Sequence, residues 1–225
     1  MKKLKKCLPI LIVVILFVSI SSVFSSFVVY ANSKFNGITI VIDAGHGGRD
    51  GGCVGINGTI EKEINLEYSK ALKSALNEKG YRVVMTRETD DGLYSNFSKN
   101  KKLSDLNVRL EKIKKANPNL VISIHMNSFN DSSVRGAMTY FKIGDDSSEM
   151  VANLIQKNLI KINPYSNEKT KGGDFFILNS SYYTSVLIEC GYLSNFEEER
   201  ELKTKEYKNN FVQAVSDALF LYFGK

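Results

Sequence analysis

The sequence has no tryptophan, three prolines, three cysteines and only two histidines in 225 residues. Three cysteines do not make the framework of a disulfide-stapled secreted domain. Cys7 lies ahead of the apolar leader rather than after it, so it is not placed to carry a lipid. Cys53 and Cys190 read as small buried residues, with a bridge between them left open. Acidic residues are also missing from the start, since none precedes Asp43. The formal charge of +6 therefore comes largely from Lys2, Lys3, Lys5 and Lys6; without residues 1–31 the chain holds 26 basic against 24 acidic residues, a net of +2. That balance removes the basic-patch argument for nucleic acid, and none is expected as a partner.

What is present at the N-terminus reads as an export signal. Four lysines precede the apolar segment Leu8 to Ile20, and Phe27-Val28-Val29-Tyr30 leads to Ala31. Val29 and Ala31 suit the −3 and −1 positions of a signal-peptidase site, so cleavage after Ala31 is expected. The alternative is a retained anchor, because Leu8 to Tyr30 spans ~20 residues, long enough for a bilayer. Five serines between Ser19 and Ser26 weaken that alternative. Contact with a membrane is expected only through this segment, and the rest of the chain is expected to act outside the cytoplasm. The expected organisation is a leader at 1–31, a short joint at 32–37 and one folded domain at 38–225.

Within that domain, β-branched runs alternate with helical stripes. Ile38 to Ile42 reads as a buried strand. Ile64, Tyr68, Leu72 and Leu76 recur at helical spacing over about 60–79, and Gly80 supplies a stop. Tyr81 to Thr86 reads as a second strand, and 87–102 as a polar surface loop. Ser104 is the expected cap of a helix ending at Asn117-Pro118. Leu120 to His125 and Ala137 to Ile143 follow as strands, and 147–160 as a helix with Met150, Leu154 and Leu159 inward. Phe175 to Leu178 and Val186 to Glu189 read as short strands, and Tyr207, Phe211, Val215, Leu219 and Tyr222 mark the last helix. This order predicts an α/β fold: a single domain with a mostly parallel twisted sheet flanked by helices on both faces.

Four polar residues stand out against this pattern: His46, Glu61, His125 and Glu189. Both histidines and Glu189 close apolar runs, and His46 sits in the glycine turn Gly45-His46-Gly47-Gly48. Such turns lie at the carboxyl ends of strands, where open parallel sheets bind ligands. Two histidines and one carboxylate leave the fourth tetrahedral position of zinc open, as hydrolytic sites require. Glu189 would then be free to move protons. Taken singly, either histidine could be structural, Glu61 could merely complement a helix N-terminus, Glu63 competes with it, and Glu189 could be an ion-pair partner.

The segments Val41-Ile42-Asp43-Ala44-Gly45-His46-Gly47-Gly48, Glu61-Lys62-Glu63, Ser123-Ile124-His125-Met126-Asn127-Ser128 and Ile188-Glu189-Cys190-Gly191-Tyr192-Leu193-Ser194-Asn195, in that order, resemble the zinc-dependent N-acetylmuramoyl-L-alanine amidases of the type 3 family. The likeness covers the chain from Ile38 onward. It implies His46, Glu61 and His125 as ligands of a Zn2+ cofactor and Glu189 as the catalytic glutamate. The Thr86-Arg87 pair and Arg109 also look family-like and read as salt-bridge supports of the fold, with substrate contact as the alternative, and Asp43 either orients a zinc histidine or steadies the turn. The implied substrate is peptidoglycan, cut between N-acetylmuramic acid and L-alanine. A short member bearing a leader is similar to the spore-cortex amidases that act in muramic lactam formation, placed in the cell wall or forespore intermembrane space and controlled by expression or by an unidentified regulatory protein. Two rival expectations are a zinc carboxypeptidase acting on stem peptides and a catalytically silent module that binds wall or partner.

Overall fold

The computed structural model describes residues 35–224. The leader, Cys7 and residues 32–34 of the joint lie outside the described residues. The elements are β1 (Thr39–Ala44), α1 (Glu61–Glu78), β2 (Arg82–Met85), α2 (Lys101–Ala116), β3 (Leu120–Asn127), β4 (Met138–Phe141), α3 (Asp146–Ile162), β5 (Lys171–Gly172), α4 (Phe176–Ser180), β6 (Ser185–Tyr192), α5 (Phe196–Leu202) and α6 (Lys205–Phe223). The strands form one sheet in the order β2-β1-β3-β6-β4-β5. All neighbours are parallel except β4 and β6.

Alternation along the strands divides the sheet into two buried faces. Ile40, Ile42, Ile122, Ile124, Val186 and Ile188 pack on one side against the apolar stripes of α1, α3 and α6. Val41 and Val121 face the other way, toward Ile113 of α2 and Ile177 of α4. Along β1 and β3 the same alternation continues from Val41 to Asp43 and from Val121 through Ser123 to His125. Register pairs Asp43 with Ser123, Ser123 with Leu187, and His125 with Glu189. Asp43, Ser123, His125 and Glu189 therefore gather on the α2 face toward the carboxyl ends of the three central strands.

Helix ends follow local chemistry. Asp145 accepts hydrogen bonds from the amides of Ser147 and Ser148, and Thr204 from that of Tyr207. The cap of α2 is Asn100, which accepts from the Leu103 amide, and not Ser104; the helix starts four residues earlier and Ser104 instead accepts from the Ser95 amide. Asn117 ends that helix in the left-handed region at φ 45°. The stretch from Phe175 to Leu178 forms the short helix α4 and not a strand. A brief apolar run carries no period of its own, and here the edge beside β4 is already taken by Lys171 and Gly172. Met150 also departs from expectation: it is exposed, while Val151, Ile155 and Leu159 turn the buried face of α3 one position onward. No helix among the described residues is long and apolar enough to cross a membrane.

Candidate metal centre

The site lies at the carboxyl ends of β1, β3 and β6, as a parallel sheet dictates. His46 follows β1 in the left-handed region, at φ 60°, a conformation rare for a residue with a Cβ. Two buried arginines hold it there. Arg109 reaches from α2 to the carbonyls of Ala44 and His46, and Arg87 donates to those of Ala44 and Gly45. Gly45 is required for space as well: a Cβ there would lie 2.3 Å from the His125 ring.

Glu61 opens α1 and joins the two histidines. Its Oε1 lies 3.2 Å from His46 Nε2 and 3.0 Å from His125 Nδ1, while Oε2 accepts from the Cys53 amide at 2.9 Å. Asn65, one helical turn on, donates to the same carboxylate at 3.1 Å. The donor atoms of His46, Glu61 and His125 all fall within 4.8 Å of one another, so this group could hold a metal ion. Helix phase separates the two glutamates: Glu61 is buried in the cluster and Glu63 is exposed. Burial opposes charge on Glu61, but hydrogen bonds from His125 and His46 outweigh it and hold the carboxyl well below its ordinary range. Cys53 is not in this donor group. Burial, with Glu61 and Glu189 nearby, pushes its thiol up to about 12, and both Cys53 and Cys190 are free.

Glu189 stands beside His125 on β6. Its Oε2 is buried without a hydrogen-bond partner among the described residues. Burial raises its carboxyl to about 7, against the lowering pull of His125. A carboxyl balanced near neutrality inside a cleft is suited to carry a proton in either direction. The cleft measures about 630 Å3, and all four residues line it.

Asp43 orients neither histidine. Its carboxylate accepts from Thr86 Oγ1 and Ser123 Oγ, both at 2.7 Å, and from Arg109 Nη1 at 2.8 Å. The carboxylate nearest His46 Nδ1 is that of Asp50, whose Oδ1 lies 2.9 Å away as an ion-pair contact, while Nδ1 has no aligned hydrogen bond among the described residues. A carboxylate behind a histidine fixes the ring for metal binding through its other nitrogen. Arg109 forms the expected salt bridges, to Asp43 and Asp105. Arg87 works instead through carbonyls, including those of Lys62 and Thr89.

The Asp43 cluster gives a stability prediction. Burial works against its charge, but Arg109 and the two hydroxyls bring its carboxyl down to about 2 from the ordinary 3.8. The folded state then binds the proton less readily than the unfolded state. This stability is complete above about pH 4 and is lost as pH falls toward 2, on the order of 2 kcal/mol. Asp43→Ala removes it at every pH and strips Arg109 of one partner, so chemical denaturation at pH 7 should show a loss of about 3 kcal/mol. A loss below about 0.5 kcal/mol would mean the cluster is not a structural support.

Residues 40–220 match the type 3 N-acetylmuramoyl-L-alanine amidase family. The chain belongs to that family. This amidase is 33% identical over 189 residues to the N-acetylmuramoyl-L-alanine amidase LytC of Bacillus subtilis, covering 83% of the chain but only 36% of LytC. It is 31% identical over 192 residues to the germination-specific N-acetylmuramoyl-L-alanine amidase of the same organism, covering 84% of the chain and 81% of that protein. Among solved structures, the CwlD amidase from Clostridioides difficile in complex with the GerS lipoprotein superposes with a TM-score of 0.77 at 32% identity, over 83% of this amidase and 98% of that chain. The single α/β domain of this amidase is thus the architecture of its relatives.

Proposed function

We propose that the chain hydrolyses the amide joining the lactyl group of N-acetylmuramic acid to the L-alanine of the stem peptide, with zinc held by His46, Glu61 and His125. One observation carries the reading: a His–Glu–His donor cluster shares its cleft with a buried glutamate whose oxygen has no partner among the described residues. Two nitrogens and one carboxylate oxygen are a donor set that suits catalytic zinc. When bound, zinc supplies Lewis-acid polarisation of the scissile carbonyl and a more acidic attacking water. Glu189 takes the proton of that water and passes one to the departing amine, a poor leaving group without it. Asp50 keeps the His46 ring turned and basic, and Arg87 and Arg109 keep its backbone in place.

The rival readings make different products. Incubating the full-length protein with cortex-type peptidoglycan, with and without zinc, should release intact stem peptides and leave glycan with unsubstituted lactyl groups. Shortened stem peptides would favour a carboxypeptidase, and no product despite bound zinc would favour a silent module. Glu189 weighs against the latter, since a buried carboxylate without a partner is costly to keep for binding alone.

The setting proposed is cell-wall or spore-cortex remodelling during sporulation, outside the cytoplasm. The germination-specific relative and CwlD support it, and the GerS complex of CwlD makes a regulatory protein partner part of the same reading. Export by a cleaved leader belongs to it too. N-terminal sequencing of the exported protein should begin at Asn32, and recovery of residues 1–31 on membrane-bound protein would replace cleavage with anchoring.

A further inference from the structure

The cleft beside the metal centre is lined by three cations, Arg49, Lys101 and Lys102, and by an apolar run, Phe175, Phe176 and Ile177. Apart from Glu189, the acids that share the cleft are already engaged. Asp50 lies against His46, Asp105 holds Arg109 and the Leu93 amide, and Asp174 accepts from Asn179. No salt bridge among the described residues involves Arg49, Lys101 or Lys102. Lys101 Nζ is steadied 5.1 Å above the Tyr94 ring, a contact that leaves its charge available.

The cations are also close to the reacting centre. Arg49 is three residues from His46 in the same turn. Lys102 interacts electrostatically with Asp50, the residue against His46 Nδ1. A peptide whose scissile carbonyl sits at the metal centre advances ~3.3–3.6 Å per residue. An acidic group one or two residues along therefore comes within reach of these long side chains.

We propose that Arg49, Lys101 and Lys102 form a carboxylate subsite that selects stem peptides bearing a free acid on the residue after L-alanine, over stems in which that acid is amidated. The proposal rests on the amidase reading and adds the chemical class of stem it accepts. The apolar run takes the peptide's hydrocarbon portion, and the cations its charge. A charge-assisted hydrogen bond contributes about 1.5–3 kcal/mol, which as affinity is ~10-fold or more.

Two synthetic muramoyl peptides, identical except for a free α-carboxylate or a carboxamide on the second residue, decide the matter. Calorimetric binding to the zinc-loaded full-length E189Q variant should favour the acid at least ~10-fold at low salt. The preference should shrink as ionic strength rises, because these side chains are partly exposed. In a background of R49Q with K102Q the ratio should fall toward one, while R49K should keep most of it. Equal affinity for both peptides in E189Q, or a ratio untouched by R49Q with K102Q, overturns the subsite. Cleavage by the wild-type protein is read separately. Discrimination without cleavage keeps the subsite and removes the amidase reading; cleavage without discrimination does the reverse.

Discussion

Replacing Glu189 with glutamine is expected to yield a folded, zinc-loaded protein that releases stem peptides at least ~100-fold more slowly. The expectation follows from position. Glu189 shares the cleft with the donor cluster but is not among its donors, so its loss should not release metal. Its carboxyl, raised to about 7 by burial, is the group near neutrality that can accept and return a proton. Glutamine preserves the shape and removes the base, and general acid–base catalysis typically contributes about 10² to 10⁴-fold. Zinc content and peptide release should be measured on one preparation. Near-normal release would assign proton transfer to another group, and loss of zinc would make Glu189 a ligand.

Replacing either His46 or His125 with alanine is expected to remove zinc and activity together, with rates down by at least ~1,000-fold. Lewis-acid assistance is worth several kcal/mol, and two remaining donors do not complete a catalytic zinc site. The two variants should differ in one respect. His46→Ala leaves a side chain in the left-handed region without the Asp50 contact, whereas His125→Ala empties space beside Gly45 at the end of a regular strand. Metal analysis beside thermal melts separates lost ligation from lost folding. Full zinc occupancy in both folded variants would remove the centre as described.

The parts of this molecule that were legible in the sequence are those that repeat locally. The stripes of α1 and α6 and the β-branched runs of β1, β3 and β6 each carry their own period, and from them the mostly parallel sheet follows. The four residues that share the cleft were legible as candidates because three of them interrupt such runs with polarity. The misreadings share a cause. Phe175 to Leu178 is too short to reveal its period, and Met150 misled because one position of helical phase separates buried from exposed. Asp50 was invisible because its approach to His46 depends on how a glycine-rich turn folds back. Arg87 was misread as an ion-pair residue, because the backbone carbonyls it serves leave no mark in the sequence. Asn65, one turn beyond Glu61, was the one missed contact that spacing alone could have suggested.

The strand order has a consequence for how the chain comes into being. Among the described strands Ser185–Tyr192 is the last in sequence, yet it lies between β3 and β4, near the middle of the sheet. Without it, β3 and β4 each lack a pairing partner and nothing in the sheet joins β2, β1 and β3 to β4 and β5. Such distant pairing is slow and comes late. The strand that joins the two portions also bears Glu189. The cleft that sets Glu189 beside His46, Glu61 and His125 is therefore completed only when β6 takes its place between the two portions of the sheet.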